Sequence, residues 1–332
     1  MIDLHTHTTA SDGVLTPAQI IEQAANNNIT TLAITDHDTV SGIAEGLEAA
    51  EKFNITLIPG IEISTKADLF ADEIHLVGLF IDTQNQDLLQ TLELLHNYRE
   101  NRNKKIIEKL KDIGIEIPEE LLFNTSSRTK TISTLGKPDF AKALYKIGAV
   151  KHEAEAFGKF LNDKNGLAGV SKERIDLEDA ISLIHKANGL AILAHPFHIT
   201  KNYNELYSLV EKYSQCGLDG IEVYYNNYNR KQIKNLKKLA EHFGLIKSGG
   251  SDFHFAGGYR QARLGFFGEK KNIPDDILKD IMRRKKIMFL YKNVAVRENG
   301  QLFFCPSPYA QTSILFWYFL LFSFSPRPLF TF

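Results

Sequence analysis

Short apolar runs alternate along the chain with segments whose apolar residues recur at helical spacing. This alternation is typical of βα units that surround a parallel sheet. Strands are predicted at 1–5, 30–35, 55–64, 73–80, 189–194, 218–223 and 245–250. Helices are predicted at 17–27, 41–52, 86–113, 138–147, 151–162, 177–187, 203–213 and 230–243. The pattern therefore predicts an α/β fold.

The stretch 85–170 interrupts this rhythm, because most of it is predicted to be helical. Apolar residues keep a helical spacing through 86–113, and Gly114 suits the end of that helix. We therefore expect a βα core in two parts, a helical insertion between them and a hydrophobic tail outside the core. The expected bounds are 1–84 and 171–300 for the core, 85–170 for the insertion and 305–332 for the tail.

Composition limits the partners and the location. The chain has 332 residues, a formal net charge of −1 at pH 7 and two cysteines that lie far apart. A near-neutral charge gives no broad attraction for nucleic acid or membrane, so a polyanion would have to bind a local patch or a bound metal. The distant cysteines and the absence of a secretory signal predict reduced thiols and a cytoplasmic protein.

The tail contains the apolar run I-L-F-W-Y-F-L-L-F at 314–322. This run is shorter than the roughly 20 residues that a membrane span requires, so no membrane association is expected. Two interpretations stay open for it. It is either a hydrophobic anchor or partner-binding tail, or an appendage outside the core that contributes no chemistry.

Side chains of the kinds that bind metals follow nearly every predicted strand. They are six histidines and three carboxylates: His5, His7, Asp12, His37, Glu62, His75, His195, Asp252 and His254. In a βα barrel the carboxyl ends of the strands share one face, where active sites form. Taken singly, each residue has a structural explanation, such as a hydrogen-bonded histidine or a turn. Together at one rim they predict a metal centre.

Imidazole and carboxylate ligands without a nearby thiolate suit Zn²⁺, Mn²⁺ or Fe²⁺ rather than Ca²⁺ or Mg²⁺. Nine ligands are too many for one tetrahedral ion and fit two or three ions. The charge of three divalent ions would outweigh three carboxylates and leave a positive pocket suited to phosphate. Such sites activate a metal-bridging hydroxide and bind the oxygens of a phosphoryl group. The residues therefore predict a metal-dependent phosphoesterase.

The chain resembles the PHP (polymerase and histidinol phosphatase) family over about 1–82 and 165–265. The matching segments are H-T-H-T-T-A-S-D-G-V-L-T-P, I-T-D-H-D-T-V, G-I-E-I-S, H-L-V-G-L-F, L-A-H-P and G-S-D-F-H. The resemblance implies a distorted (β/α)7 barrel of the PHP type with a mostly helical insertion and three metal ions. At the matching positions it implies that all nine residues named above are ligands, with Glu62 as the bridging carboxylate.

The insertion is similar to that of the 3′,5′-nucleoside bisphosphate phosphatases and their relative, the 5′-to-3′ exoribonuclease RNase AM. The resemblance implies that the insertion is a cap or substrate domain, which helps to cover the site of the barrel and to hold phosphates. This branch implies hydrolysis of a bisphosphate such as pAp, or release of nucleotides from the end of a short RNA. The partner would then be a small phosphorylated nucleotide or a single-stranded RNA end, without a large nucleic-acid surface.

Several basic side chains are predicted to contact the substrate. Arg99 and Arg102 lie in the long helix, and a guanidinium can bind two phosphate oxygens at once; the alternative is a solvated helix face. Lys137 and Arg263 are further predicted contacts, and Lys172 or Lys164 could reach a second phosphate. One segment departs from the pattern of the branch: residues 136–141 read G-K-P-D-F-A, where we expect a segment like R-P-H-F-A. A lysine at this place keeps the charge but loses the paired contact of arginine, which weakens the substrate assignment.

For catalysis, we expect His195 to protonate the leaving oxygen, with His254 as the alternative, and Asp36 to support the ligands from behind. Other functions stay open. The chain could be a histidinol-phosphate phosphatase of the same family, an amidohydrolase-type metallohydrolase or a non-catalytic barrel. The segment D-H-D-T-V also fits haloacid-dehalogenase-like phosphatases, in which Asp36 would be a covalent nucleophile.

Overall fold

The structure is a computed structural model that describes residues 1–66, 73–123, 131–255, 262–267, 271–293, 296–298 and 301–303. Seven strands form one sheet in chain order. They are β1 Ile2–Asp3, β2 Thr31–Ile34, β3 Thr56–Lys66, β4 Glu73–Leu79, β5 Leu190–Leu193, β6 Gly220–Tyr225 and β7 Ile246–Gly250. Two small antiparallel pairs follow, β8 Phe266–Phe267 with β9 Lys271–Asn272, and β10 Val296–Glu298 with β11 Gln301–Phe303. The predicted tail at 305–332 lies outside the described residues.

Helices fill most of the connections between strands. They are α1 Pro17–Asn26, α2 Ile43–Phe53, α3 Gln86–Asp112, α4 Glu119–Phe123, α5 Lys137–Lys146, α6 Glu153–Ala156, α7 Leu177–Lys186, α8 Pro196–Ile199, α9 Tyr203–Gln215, α10 Arg230–His242 and α11 Asp276–Asn293. The helix predicted at 151–162 is split, since α6 continues as a π-helical turn over Phe157–Leu161. Within the described ranges, no helix is both long and apolar enough to cross a membrane.

The sheet closes on itself, because the chain beyond β1 pairs with β7 and the segment after it. The backbone N–H of Leu4 donates to the carbonyl of Gly249 at 3.2 Å, and that of Asp252 donates to the carbonyl of His5 at 2.9 Å. Thr6 and Phe253 form a parallel bridge one step further along. These bonds turn the seven strands into a barrel and bring the first and last ligand motifs side by side.

One strand runs against the others. β4 is antiparallel to both β3 and β5, whereas the remaining neighbours are parallel. The expectation that all strands are parallel is therefore wrong for β4. The reason is the short link between Lys66 and Glu73, which cannot hold the dozen or more residues of a parallel crossover. Reversal places the start of β4, with His75, at the rim where the other strands end.

The helix α11 covers the opposite end of the barrel. Its Ile277 and Ile281 are buried in the main hydrophobic core. The guanidinium of Arg284 donates to the carbonyl of Gly244 at 2.6 Å, and Lys285 donates to the carbonyl of Asn188. Because both carbonyls lie in turns just before strands, α11 lies at the end away from the ligand motifs.

The segment between β4 and β5 has a hydrophobic cluster of its own. The first half of α3 packs its leucines into the barrel core, and its second half contributes Ile106 and Leu110 to the separate cluster. Phe140, Leu144 and Phe160 from α5 and the π-helical turn complete that cluster. This separation favours the predicted division into barrel and insertion, whose bounds stay a prediction.

Barrel closure gives a test at Gly250, where β7 meets the chain beyond β1. An added Cβ would lie 2.2 Å from the Cβ of His5 and 2.6 Å from its backbone nitrogen. We expect Gly250→Ala to destabilise the fold by about 1–3 kcal/mol or more and to weaken metal binding, because His5 must move. Thermal unfolding and a Mn²⁺ titration measure both effects. Gly158→Ala, where a Cβ meets nothing within 4 Å, is the control. An unchanged melting temperature for Gly250→Ala would contradict the closure.

Candidate metal centre

The structure brings all nine predicted metal ligands to one place at the rim of the barrel. Eight of them form three overlapping groups, in each of which one nitrogen or oxygen atom per residue lies within 4.8 Å of the others. The groups are His7, Asp12, His37 and His254; His5, His7, Glu62 and Asp252; and His37, Glu62 and His75. The ninth residue, His195, has its Nε2 atom 3.0 Å from Oε1 of Glu62.

Glu62 lies at the centre of this cluster and is fully buried. Its Oε1 atom is 3.0 Å from Nδ1 of His75, and its Oε2 atom is 3.2 Å from Nε2 of His7 and 3.1 Å from Nδ1 of His37. One carboxylate therefore faces ligands from three different strand ends. It belongs to two of the three groups and can bridge two ions.

Three residues of the rim adopt positive φ angles, namely Asp38 at 51°, His195 at 29° and Asp252 at 52°. This left-handed conformation is uncommon for residues with a Cβ and tends to persist where surrounding contacts impose it. Here the backbone N–H of Asp252 donates to the carbonyl of His5, and that of Asp38 donates to the carbonyl of Glu62. Each strand end thus turns sharply where it delivers its ligand.

A second set of polar side chains, not predicted from the sequence, orients the ligands. Oε1 of Glu222 lies 3.1 Å from Nδ1 of His5, which leaves Nε2 of that ring facing the cluster. Oε2 of Glu222 accepts a hydrogen bond from the backbone N–H of His195, and the Tyr225 hydroxyl donates to Asp252 at 2.6 Å. The sequence E-V-Y-Y at 222–225 could have indicated Glu222 and Tyr225, because β6 was the one predicted strand to which no ligand was assigned.

Glu73 plays a similar part for His75 and was also missed. One carboxylate oxygen contacts Nε2 of His75, and the other accepts from the guanidinium of Arg174. The Nδ1 atom of His75 is thereby directed at Glu62. Metal-binding histidines commonly have their second ring nitrogen held by a carboxylate or carbonyl in this way. His5 and His75 both meet that pattern.

Asp36 lies behind the cluster. Its Oδ1 atom accepts from the backbone N–H of Thr8 at 2.7 Å and from the Ser11 hydroxyl at 2.6 Å. Its Oδ2 atom accepts from the Thr8 hydroxyl at 2.7 Å. These bonds fix the loop that carries Asp12. Two hydrogen-bonded oxygens favour the supporting role for Asp36 over that of a covalent nucleophile.

The donor atoms of this cluster fit metal ions. Several buried nitrogen and oxygen atoms lie close to one another but make no hydrogen bond of normal geometry with any described residue, although such atoms are nearly always hydrogen-bonded in proteins. They include Nε2 of His5, both ring nitrogens of His7, Nδ1 of His37 and Oε2 of Glu62. All of them belong to residues of the three groups, and imidazole with carboxylate is the donor set that zinc, manganese or iron prefers.

Protonation in the metal-free chain follows from the buried carboxylates. Burial lowers the pKa of His7, but Asp252 and Glu62 outweigh burial and raise it to about 10. Burial also lowers the pKa of His75, but Glu62 and Glu73 outweigh burial and raise it to about 10. For His37 burial prevails over the carboxylates and lowers the pKa to about 4. The ionised carboxylates thus keep His7 and His75 protonated, and a metal ion that binds these histidines would displace their protons.

An open cavity of about 540 Å³ lies beside the cluster. Its lining combines the cluster residues Asp12, His37 and His75 with the cations Arg99, Arg102 and Lys172. Anions can therefore contact the metal ligands and the basic side chains in the same space.

The cations of this cavity are held in place by the barrel and the insertion. The Arg99 guanidinium donates to Oδ2 of Asp38 at 2.7 Å, and the Lys172 ammonium donates to the same oxygen. Burial lowers the pKa of Lys172 to about 8, although Asp38 opposes that shift. Arg102 is buried and donates to Asn103 Oδ1 at 2.8 Å.

Two predicted substrate contacts lie elsewhere. The Lys137 ammonium forms an ion pair with Asp163 at 2.5 Å, and Arg263 is exposed with its guanidinium 4.8 Å from the centre of the Phe266 ring. Neither belongs to the described lining of the cavity. The structure therefore groups Arg99 and Arg102 with the cluster but not Lys137 or Arg263.

Comparison with known proteins supports these observations. A family model described as PHP domain matches residues 3–296. The chain is 35% identical to a 5′-3′ exoribonuclease of Haemophilus influenzae, over 77% of this chain and 91% of that protein. It is 33% identical to a 3′,5′-nucleoside bisphosphate phosphatase of Chromobacterium violaceum, over 77% of this chain and 88% of that protein.

Solved structures share the fold. One, described as an amidohydrolase from Chromobacterium violaceum with bound sulfate and no metal, has a TM-score of 0.72 and 30% identity and covers 86% of this chain and 96% of its own. Another, described as a metal-dependent phosphoesterase from Bifidobacterium adolescentis, has a TM-score of 0.70 and 26% identity, with coverage of 85% and 96%. The predicted barrel is therefore confirmed.

We expect divalent cations to release protons when they bind this cluster near neutral pH. His7 and His75, with pKa values of about 10, are then protonated and must become neutral to bind a metal. The affinity for Mn²⁺ should therefore fall as the pH is lowered. Calorimetric titration in two buffers of different ionisation enthalpy measures the released protons, and His75→Ala should release fewer. Binding without proton release, at an affinity independent of pH, would contradict this charge state.

Proposed function

The chain belongs to the PHP domain family of metal-dependent phosphoesterases, and from this premise we propose that its substrates are phosphate esters of nucleotides. Two activities fit best: hydrolysis of a 3′,5′-nucleoside bisphosphate, and release of nucleotides from the 5′ end of a short RNA. Relatives named for these activities share 33% and 35% identity with this chain over about three quarters of its length. A nucleotide substrate also agrees with the expected cytoplasmic location.

Each of the three groups of ligands would hold one divalent ion; His195 would join the group of His75, and Glu62 would contribute to two of the groups. Mn²⁺, Zn²⁺ and Fe²⁺ are the ions that suit these donors. Bound ions would activate water and stabilise the charge that develops on a phosphoryl group during hydrolysis. The convergence of buried nitrogen and oxygen atoms that lack hydrogen bonds supports this assignment.

The substrate class rests on one observation, which is that basic side chains and metal ligands line the same cavity. A bisphosphate has two anionic groups to place there. The phosphate that is hydrolysed would lie at the ligands, and the other would contact Arg99, Arg102 and Lys172, with charge-assisted hydrogen bonds. His195, or a water that it orients, would give a proton to the leaving oxygen, with His254 as the alternative.

Two alternatives fit this cavity less well. Histidinol phosphate carries an amine, which Arg99, Arg102 and Lys172 would repel, since the two acids of the lining, Asp12 and Glu73, already contact His254 and Arg174. Amide hydrolysis is the second candidate, because one structural neighbour is described as an amidohydrolase. An amide substrate has no anionic group that would require the cationic lining. Both alternatives can be tested in one assay.

We expect the Mn²⁺-loaded protein to release phosphate from a nucleoside bisphosphate and nucleotides from a 5′-phosphorylated RNA, and to leave histidinol phosphate and simple amides largely intact. His7→Ala should lower both bound metal and activity by several orders of magnitude, because His7 belongs to two ligand groups. Metal analysis and phosphate release measure these outcomes. Hydrolysis of the amide alone, or full activity of His7→Ala, would refute the proposal.

A second prediction separates the two anionic contacts. We expect Arg99→Met to raise KM for a bisphosphate about tenfold to a hundredfold, and to change KM for a monophosphate less, because one charged contact is lost. Lys104→Met is the matched control, since Lys104 lies on the same helix and pairs with Glu100 at 2.6 Å. Steady-state kinetics with both substrates measure the difference. Equal effects of the two variants would contradict the assigned phosphate contact.

A further inference from the structure

The outward face of α10 carries a row of basic side chains. Lys231, Lys234 and Lys238 are exposed and are spaced so that they share one side of the helix, while Leu236 and Leu239 are buried on the other side. Arg230, exposed at the first position, extends the row towards the start of the helix. We call these four residues the α10 basic row.

The α10 basic row has no counter-charge among the residues that the structure describes. None of its four side chains forms an ion pair or hydrogen bond with a residue that the structure describes, whereas other lysines do. Lys104 pairs with Glu100 at 2.6 Å, and Lys247 pairs at 3.0 Å with Glu241, the only acid in α10. The row therefore presents uncompensated positive charge to an external partner.

Its position along the helix points to an anion as well. The first turn of a helix favours acidic side chains, because the macrodipole is positive there. The first turn of α10 contains no acid and two cations, Arg230 and Lys231. This placement costs some helix stability, so helix formation does not explain it. A bound phosphate would be attracted by both the side chains and the dipole.

The row begins at the rim of the barrel, next to the metal centre. The strand β6 leads into α10, and at its end the Tyr225 hydroxyl donates to the ligand Asp252. The Tyr228 hydroxyl accepts from the backbone N–H of Phe197, two residues beyond the ligand His195. From there α10 runs about 20 Å along the outside of the barrel.

The cationic cavity lies on the other side of the cluster. It is lined by the segments that follow β1 and β2, by β3 and β4, and by the insertion, through residues such as His37, His75 and Arg102. In the closed sheet β6 lies two strands beyond β4 and, through β7, two strands from β1. An RNA with its first phosphate in the cavity and its scissile phosphate at the metal ligands would continue on the side of β6. The row lies along that direction.

We propose that the α10 basic row binds the sugar-phosphate backbone of single-stranded RNA beyond the scissile phosphate, as a track that a free nucleotide does not reach. This proposal rests on the RNA-end hydrolysis proposed above. It adds a binding surface for a longer substrate to a chain whose net charge is −1. Contacts to successive phosphates would be independent of sequence and sensitive to salt.

The test compares two triple variants of equal charge change. One replaces Lys231, Lys234 and Lys238 with alanine. The control replaces Lys279, Arg283 and Lys286, which are exposed on α11 at the opposite end of the barrel, with alanine. Both variants and the wild type are loaded with Mn²⁺ and assayed on two substrates. One is a 5′-phosphorylated single-stranded RNA whose extended length exceeds that of α10, and the other is a nucleoside bisphosphate.

We expect the α10 variant to lose about tenfold in kcat/KM on the RNA and to keep the wild-type value on the bisphosphate. The slope of log(kcat/KM) against log(salt) on the RNA should become shallower by about 2, since each single-strand phosphate contact contributes about 0.7. The α11 control should match the wild type on both substrates.

Two results would overturn the track. The first is an α10 variant that matches the control on RNA. The second is an equal loss of activity on both substrates, because it would mean that α10 acts through the metal centre. Replacing the same three lysines with arginine keeps the charge, so this variant should hydrolyse RNA like the wild type if the track exists. A wild type that hydrolyses the bisphosphate but no RNA also refutes the track. A wild type inactive on both substrates would refute the proposed function itself.

Discussion

The carboxylate of Glu62 is the group on which the rest of the site depends. It is fully buried, and an isolated charge in that position would be very costly. Imidazoles from the ends or starts of several strands surround it, and they hold its pKa well below the ordinary value against the effect of burial. The closure of the barrel and the reversal of β4 both serve this arrangement, since they bring His5 to Oε2 and His75 to Oε1 of the same carboxylate.

The cavity and the metal centre are joined through one further acid. Asp38 directly follows the predicted ligand His37, and its carboxylate accepts hydrogen bonds from Arg99 of α3 and from Lys172 in the segment before α7. These cations and the buried backbone N–H of Ser64, which also donates to Asp38, hold its pKa far below the ordinary value despite burial. The insertion is thereby anchored next to a proposed metal ligand, so that the groups proposed to bind and to hydrolyse the substrate keep a fixed separation.

Much of this could be predicted from the sequence, because the ligands occupy strand ends and strand ends are visible as apolar runs. The helix bounds agree to within a few residues for most helices. The direction of β4 was also accessible, since the link before it is too short for a crossover. Glu73 and Glu222 were missed because a carboxylate that orients a histidine looks like any other acid in a strand. The neighbours of Lys137 and Arg263 depend on how distant loops pack, which no local pattern records.

The reversal of β4 also explains the length of α3. A strand that starts at the ligand rim must finish at the far end of the barrel, where Asp82 donates its backbone N–H to the carbonyl of Ala187. The chain must then return to the ligand rim before a side chain of α3 can line the cavity. Arg99 lies thirteen positions after Gln86, which at the helical rise is about 20 Å. The length of this part of α3 therefore sets the position of Arg99. One residue added within the span would turn Arg99 by about 100° away from the cavity, whereas an insertion beyond Asp112 would leave its orientation unchanged.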